Sequence, residues 1–252
     1  MAGEDKLERH RQHYAALKRT WQPATAIYQA RVAAYMRPDV RVLDLGCGRG
    51  GIVERLGRHG CWIGVDADLR SLVEHRLPWL PRGLAHAEAL PFADDTFDIV
   101  ATSWVLEHLR QPAVAFHEIA RVLRPGGAFL CLTPNAAHPI PRLNIACRRL
   151  RRIQAAAVWL LYGRYPRDTF PVAYRANTPK AITRLAAAAG LYLREIILVE
   201  DPAYLMLCRL PLWLAALLEH LIPATWKIHL VGHFVKRARR SRGADIRQSQ
   251  QE

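Results

Sequence analysis

Cysteine is scarce and poorly placed for cross-linking: Cys47, Cys61, Cys131, Cys147 and Cys208 are odd in number, and none stand in a CxxC pair. That spacing supports neither a disulfide framework nor a zinc site, so buried, reduced thiols and no bound metal are expected. A membrane-crossing helix is also missing. The longest apolar stretch, residues 203–222, is interrupted by Arg209, Pro211, Glu219 and His220, whereas a span needs about 20 mostly apolar residues. The opening MAGEDKLERHRQHY mixes both signs of charge and lacks the apolar centre of a signal peptide, which predicts a cytoplasmic protein. No Gly/Ser-rich linker and no solenoid repeat divides the 252 residues, so one large domain is expected. Acid is in deficit. With 22 Asp and Glu against 36 Lys and Arg, the formal charge is +14, which favours an anionic contact such as nucleic acid, phospholipid headgroups or a phosphorylated acceptor. The surplus crowds into Arg148, Arg149, Arg151 and Arg152 near the middle and Lys236, Arg237, Arg239, Arg240 and Arg242 near the end.

What is present is an alternation of strand and helix patterns. Residues 1–38 read as two helices anchored by Leu7, Tyr14, Leu17, Trp21, Ile27, Tyr28, Val32 and Tyr35. From Val40 a buried-strand run begins, then a helix from Ile52, a strand Cys61 to Val65, a helix from Leu69, and a strand Ile99 to Ser103. A helix Ala113 to Leu123, with Val114 on its apolar side, precedes a strand Ala128 to Leu132, and Arg124 to Gly127 reads as helix stop and turn. Thr178 to Gly190 reads as a capped helix, Leu193 to Val199 as a strand, Leu205 to Leu221 as mostly helix and Ile228 to Val235 as a last strand. The predicted fold is therefore α/β, a doubly wound, seven-stranded, mostly parallel sheet with N-terminal helices and a helical lid insertion. Residues 39–236 form the main domain, 136–177 its insertion, and 237–252 a basic, disordered tail.

The sharpest motif is VLDLGCGRGG, Val42 to Gly51, with Gly46, Gly48, Gly50 and Gly51 between a strand and a helix. Small residues there let a ligand approach the backbone and the free N–H groups of a helix start. Asp66 ends the next strand in WIGVDAD, where an acid can accept both hydroxyls of a ribose. Gly46, Gly48 and Gly51 also satisfy the G-x-G-x-x-G spacing of dinucleotide binders. Asp44 decides between the two: its charge is unwelcome beside a pyrophosphate and welcome beside the ammonium of an amino-acid cofactor.

Together with AEALPFADDTFDIV, SWVLEHL, ARVLRPGG and LTPN, in this order and spacing, the chain resembles the class I S-adenosylmethionine-dependent methyltransferases, in particular the type 11 methyltransferase domains. The resemblance runs from about Val40 to Asn135. It implies the Rossmann-like methyltransferase fold and S-adenosyl-L-methionine as cofactor. It implies further that Asp44, Gly46, Cys47 and Gly48 line the methionine end, that Asp66 and Ala67 hold the ribose, that Ala87 and Glu88 flank the adenine, and that Ser103 lies near the sulfonium. Family members commonly carry Asp where this chain has His86; a neutral imidazole can still accept the adenine hydrogen bond.

Methyl transfer from a sulfonium needs alignment in a dry pocket, and a base only when the acceptor must lose a proton. His108, just past the fourth strand, is the first candidate base, with His138 and Tyr174 behind it; Glu107-His108 also suits a structural helix start. Asp94 and Asp95 suit a solvated turn, Asp98 a strand anchor or a ligand contact, and Trp104 core or pocket wall. In the insertion, Leu143, Cys147, Leu150, Ala157 and Leu161 share one helical face, which suits either a lid or a helix lying on an anionic membrane surface. FPVAYRANT and LLYGR resemble group members found with glycan or lipid-linked sugar biosynthesis, implying a small or lipid-linked acceptor near Arg148, Arg149, Tyr174 and Arg175, and a peripheral place on the inner membrane face. Three other readings stay open: a nucleic-acid methyltransferase, which lacks an Asn/Asp-Pro-Pro-Tyr element after the fourth strand; a non-catalytic cofactor-binding scaffold; and an NAD-linked oxidoreductase. The oligomeric state is not legible.

Overall fold

Short runs of Val, Leu and Ile that are buried on both faces must lie inside a parallel sheet, and the computed structural model, which describes residues 2–146, 171–206 and 211–238, has such a sheet at its centre. The chain runs α1 Ala2–Leu17, α2 Ala24–Ala33, β1 Arg41–Leu45, α3 Ile52–Leu56, β2 Cys61–Asp66, α4 Leu69–Val73 and β3 Arg82–Leu84. It continues with β4 Phe97–Ser103, α5 Pro112–Val122, β5 Leu123–Pro134, α6 Pro139–Ala146, α7 Pro179–Ala188, β6 Leu191–Val199, α8 Ala203–Met206, α9 Leu212–Leu221, a 3-10 turn Ala224–Trp226 and β7 His229–Lys236. Strand order is β3-β2-β1-β4-β5-β7-β6. Only β7 runs against its neighbours β5 and β6. The strand order reverses between β1 and β4, and ligands of such sheets bind at the carboxyl ends of strands beside that point.

Alternation along the strands divides the core in two. Leu43, Leu45, Val100, Phe129 and Phe234 meet Phe116, Ile119 and Ile182 on one face. Val42, Ile99, Ala101, Leu130 and Leu132 meet Ala24, Tyr28 and Val32 of α2 on the other. The N-terminal helix and the turn after it are fastened by polar staples as well: Arg11 bonds Asp201 at 2.7 and 2.9 Å, Tyr14 donates to Glu200 at 2.7 Å, and the Trp21 indole donates to the Glu200 carbonyl at 2.9 Å.

Several expectations need correction. Leu17 and Val114 point to solvent, because α1 is held by its polar face and α5 packs through Ala115, Phe116, Ile119 and Ala120. Arg124 to Gly127 does stop α5, but lies inside the continuous strand β5 as a bulge opposite the Phe97/Ile99 register shift. The Leu205 to Leu221 helix is two pieces with Pro211 capping the second. Cys47 and Cys131 are buried but Cys61 is exposed at the start of β2; Cys147 and Cys208 lie outside the described residues, as do the four central arginines and residues 239–252. Lys236 belongs to β7, where it bonds Asp95 at 2.7 Å. Among the described residues, no helix is long and apolar enough to cross a membrane.

Candidate functional site

Asp44 stands near the end of β1 and is only 2% exposed. Its Oδ2 has no hydrogen-bond partner, and burial, with the nearby charge of Asp66, pushes its pKa up to about 7. Tyr28, from α2, is as deeply buried, its hydroxyl also lacks a partner, and burial followed by the charge of Asp44 makes it hard to ionise. Buried polar atoms in folded proteins are ordinarily satisfied, so two such groups in electrostatic contact mark a place built for something else. Tyr28 reads from sequence as an apolar helix anchor; only the packing of α2 over β1 gives its hydroxyl a role.

The turn after β1 is pinned to the neighbouring strand: the Gly46 and Cys47 amides donate to the Val65 carbonyl at 2.8 and 3.0 Å. Gly46 has φ +80°, and a Cβ there would stand 2.1 Å from Val105 Cγ2, so no other residue fits. Gly48, φ +54°, faces open space, the opening that a ligand needs to reach the backbone. Asp66 closes the far side. Its two oxygens accept from Gly48 N and Asp68 N, each at 2.8 Å, which fixes the carboxylate and leaves each oxygen further accepting capacity. The Cys47 side chain is packed toward Gly64, and burial pushes its thiol up to about 12, so it contributes backbone rather than a nucleophile.

Beyond β2 the chain is drawn in by the Ala85 amide, which donates to the Asp66 carbonyl at 3.0 Å. Ala87 is buried, Glu88 half-buried, and His86 and Ala67 are exposed. The Leu90 amide donates to Glu118 at 2.8 Å and Arg121 reaches the Leu90 and Phe92 carbonyls at 3.0 and 2.7 Å, which ties the LPF run to α5. Asp98 is a strand anchor, accepting from Arg41 N at 2.9 Å and Arg124 at 3.0 Å. Asp94 lies in a surface turn beside Arg121.

Past β4 the backbone does not start a helix at Glu107-His108 as one sequence reading allows; α5 begins only at Pro112. Ser103 ends the strand, Trp104 takes φ +60°, and Glu107 turns inward, where Thr133 donates to it at 3.0 Å and burial raises its pKa against the opposing pull of His108. The Glu107 carbonyl accepts from Ala173 N and Tyr174 N at 2.6 and 3.1 Å, and His108 Nδ1 meets the Pro171 carbonyl at 3.0 Å. The backbone around Tyr174 is thus tied to the Glu107-His108 turn, whose buried acid sequence reasoning read only as part of a helix start. His138 is elsewhere on the rim, fully buried, with Nε2 3.7 Å from Glu219. His229, at the start of β7, packs edge-on against Trp104 and Tyr204, ring centres 5.3 and 5.4 Å away, and burial lowers its pKa to about 3, so it is neutral. Among the described residues no group of His, Cys, Asp and Glu could hold a metal.

A buried carboxylate with one unpartnered oxygen, next to an open glycine turn and within electrostatic reach of a second acid with accepting capacity, suits a ligand with a cation at one end and a ribose at the other; S-adenosylmethionine has both. A pyrophosphate would be repelled by the same Asp44. Comparison with known proteins agrees. A methyltransferase domain family model matches residues 43–131. Demethylmenaquinone methyltransferase of Mycolicibacterium paratuberculosis is 36% identical over 110 residues, 43% of this chain and 46% of that protein. Ubiquinone biosynthesis O-methyltransferase of Aeromonas salmonicida is 28% identical over 171 residues, 62% and 64% of the two chains. The chain thus spans about half to two thirds of the length of these curated relatives. Among solved structures, an S-adenosylmethionine-dependent methyltransferase from Mesorhizobium loti superposes with TM-score 0.58 at 17% identity, covering 85% of this chain and 98% of that one. The 4+2 cyclase SpnF superposes with TM-score 0.55 at 18% identity, covering 83% and 80%; a likeness at that identity shows the fold and not the reaction. The domain match, the sheet order and the two acids beside the glycine turn point the same way: residues 43–131 of this chain match a methyltransferase domain.

Proposed function

We propose that the chain transfers a methyl group from S-adenosylmethionine to a small, amphiphilic acceptor. The observation that carries this reading is the buried Asp44 carboxylate, whose Oδ2 has no hydrogen-bond partner and which acts electrostatically on the equally unpartnered Tyr28 hydroxyl. In this reading Asp44, Tyr28 and the backbone of Gly46, Cys47 and Gly48 receive the methionine end, and Asp66 with Ala67 receives the ribose. His86, Ala87 and Glu88 border the adenine, and Ser103 lies toward the sulfonium. When bound, the cofactor supplies an electrophilic methyl group. What the protein adds is alignment and a way to take up the acceptor's proton.

His108 is suited to that proton. Its Nδ1, 3.0 Å from the Pro171 carbonyl, carries the hydrogen in the neutral ring, which leaves Nε2 as the basic nitrogen. Glu107 Oε1, 4.0 Å from Nε2, would stabilise the imidazolium once formed. If the acceptor is a hydroxyl, His108→Gln is expected to lower kcat by about 10²-fold or more with cofactor affinity unchanged in calorimetry; a kcat within twofold of wild type removes His108 from the chemistry. Tyr174 and His138 are then the next groups to vary.

For the acceptor, two relatives are named for menaquinone and ubiquinone chemistry, and the FPVAYRANT segment suggests a lipid-linked sugar; both are polar heads on apolar tails, presented at a membrane surface. The first test is calorimetry. S-adenosylhomocysteine should bind in the micromolar range while NAD gives no heat, and labelled cofactor incubated with fractionated cell extract should leave its methyl group in the lipid-soluble fraction. Binding of NAD alone overturns the cofactor, and label confined to nucleic acid overturns the acceptor class.

A further inference from the structure

Helix α9 is built inside out. Its sequence, LWLAALLEHL, contains one acid, and that acid is buried: Glu219 is 1% exposed, one turn from buried Ala215. Trp213, Leu217 and Leu221, spaced four residues apart and therefore in one row, are 67%, 49% and 70% exposed, with Leu218 beside them. A helix on a soluble domain ordinarily does the reverse. Glu219 lies 3.7 Å from His138 Nε2 and 3.7 Å from Lys227 Nζ, too far for either to be a hydrogen bond, and Lys227 also reaches Glu200 at 3.3 Å.

The exposed row does not stand alone. Trp226, in the 3-10 turn that follows, is exposed, and the Arg142 guanidinium of α6 lies over its ring at 5.5 Å. On α6 itself Leu143 and Ile145 are exposed. Tryptophan, leucine and a guanidinium stacked on an indole are the side chains that settle at the boundary between headgroups and acyl chains. A protein partner fits less well. A ten-residue helix is about 15 Å long, so one row on it falls well short of the roughly 800 Å² per partner of a stable interface. A lipid surface sets no such minimum, since apolar side chains insert individually. The excess charge of +14 is complementary to an anionic leaflet.

We infer that the outer row of α9, with Trp226 and the exposed side chains of α6, docks the protein on an anionic lipid surface. This inference rests on the methyl-transfer reading only for its purpose: the buried side of α9 meets His138, which follows β5, and Lys227, which precedes β7, so docking sets the carboxyl rim of the sheet against the bilayer. An amphiphilic acceptor could then enter without crossing water.

The test is flotation of the full chain with vesicles of phosphatidylcholine alone or with phosphatidylglycerol, at low and high salt, beside a Trp213→Ser, Leu217→Ser, Leu221→Ser variant. Wild type should float with the anionic vesicles, less so in high salt, and the variant should lose about tenfold or more of its bound fraction while keeping its melting temperature and its affinity for S-adenosylhomocysteine. Absence of flotation by wild type, or equal flotation by the variant, overturns the inference. A variant that melts much earlier means another part of this chain covers the row, and loss of self-association in sedimentation means a second copy does; either outcome also overturns it. Should the variant not fold, brominated lipid must quench wild type more than Trp213→Phe, and equal quenching counts against the surface. Cofactor calorimetry decides the methyl-transfer reading separately, so the two can fail independently.

Discussion

Asp44→Asn is expected to make the cofactor-free protein more stable and a far weaker binder of S-adenosylhomocysteine. In the folded state burial and Asp66 hold Asp44 near pKa 7, against 3.8 for the ordinary side chain. A group whose folded pKa is raised favours folding below its unfolded pKa, and that contribution is lost as pH rises through the folded value. The span from 3.8 to about 7 is on the order of 4 kcal/mol against the native state above pH 7. Asparagine removes the charge and keeps the shape. Thermal melts should therefore show the variant several degrees above wild type at pH 8, with the difference closing toward pH 4. Binding moves the other way. The ammonium of the ligand then lacks its carboxylate in a dry site, a loss of about 100-fold or more in affinity. In the wild type, binding at pH 6 must draw Asp44 into its charged form and release a proton, visible as a dependence of calorimetric heat on buffer ionisation enthalpy. A variant no more stable than wild type, or one that still releases the proton, would remove Asp44 from the role given to it.

That coupling of instability to binding explains what could be read from the chain and what could not. The Val42 to Gly51 segment announces itself because a strand, an acid and four glycines in ten residues serve no packing purpose. The strands β1, β2, β4 and β5 are equally plain, since burial on both faces forces continuous apolar runs. Strand β3 has no such run. Its three residues, Arg82, Gly83 and Leu84, pair only with β2, and its position follows from the sheet edge rather than from hydrophobicity. Tyr28 and Glu107 were hidden for a different reason. Each gains its role from a strand outside its own segment: Tyr28 from Asp44 on β1, Glu107 from Thr133 on β5. The reversed polarity of α9 is also a tertiary fact, because nothing local says that Glu219 faces His138 from eighty-one positions later.

Gly46 offers the sharpest test of whether the turn is as tightly specified as its geometry indicates. Alanine at this position must hold φ +80°, at a cost of about 1–2 kcal/mol for an L residue. It must also displace Val105 Cγ2, which stands 2.1 Å from the new Cβ, an overlap worth roughly 1–3 kcal/mol. Gly46→Ala is therefore expected to lose about 2–5 kcal/mol in denaturant unfolding and to abolish measurable cofactor binding, because the amides of Gly46 and Cys47 cannot shift without leaving the Val65 carbonyl. The two costs are separable. Val105→Ala removes the γ-methyl groups, so in that background the same glycine replacement should lose only the backbone part, giving a coupling of at least about 1 kcal/mol in the double-mutant cycle. Additive losses would mean that Val105 yields freely and that the left-handed backbone alone requires glycine. A large coupling would place Val105, a residue with no polar chemistry, among those that hold the cofactor turn in shape, and would show that the segment after β4 and the turn after β1 form one fitted unit across the cleft.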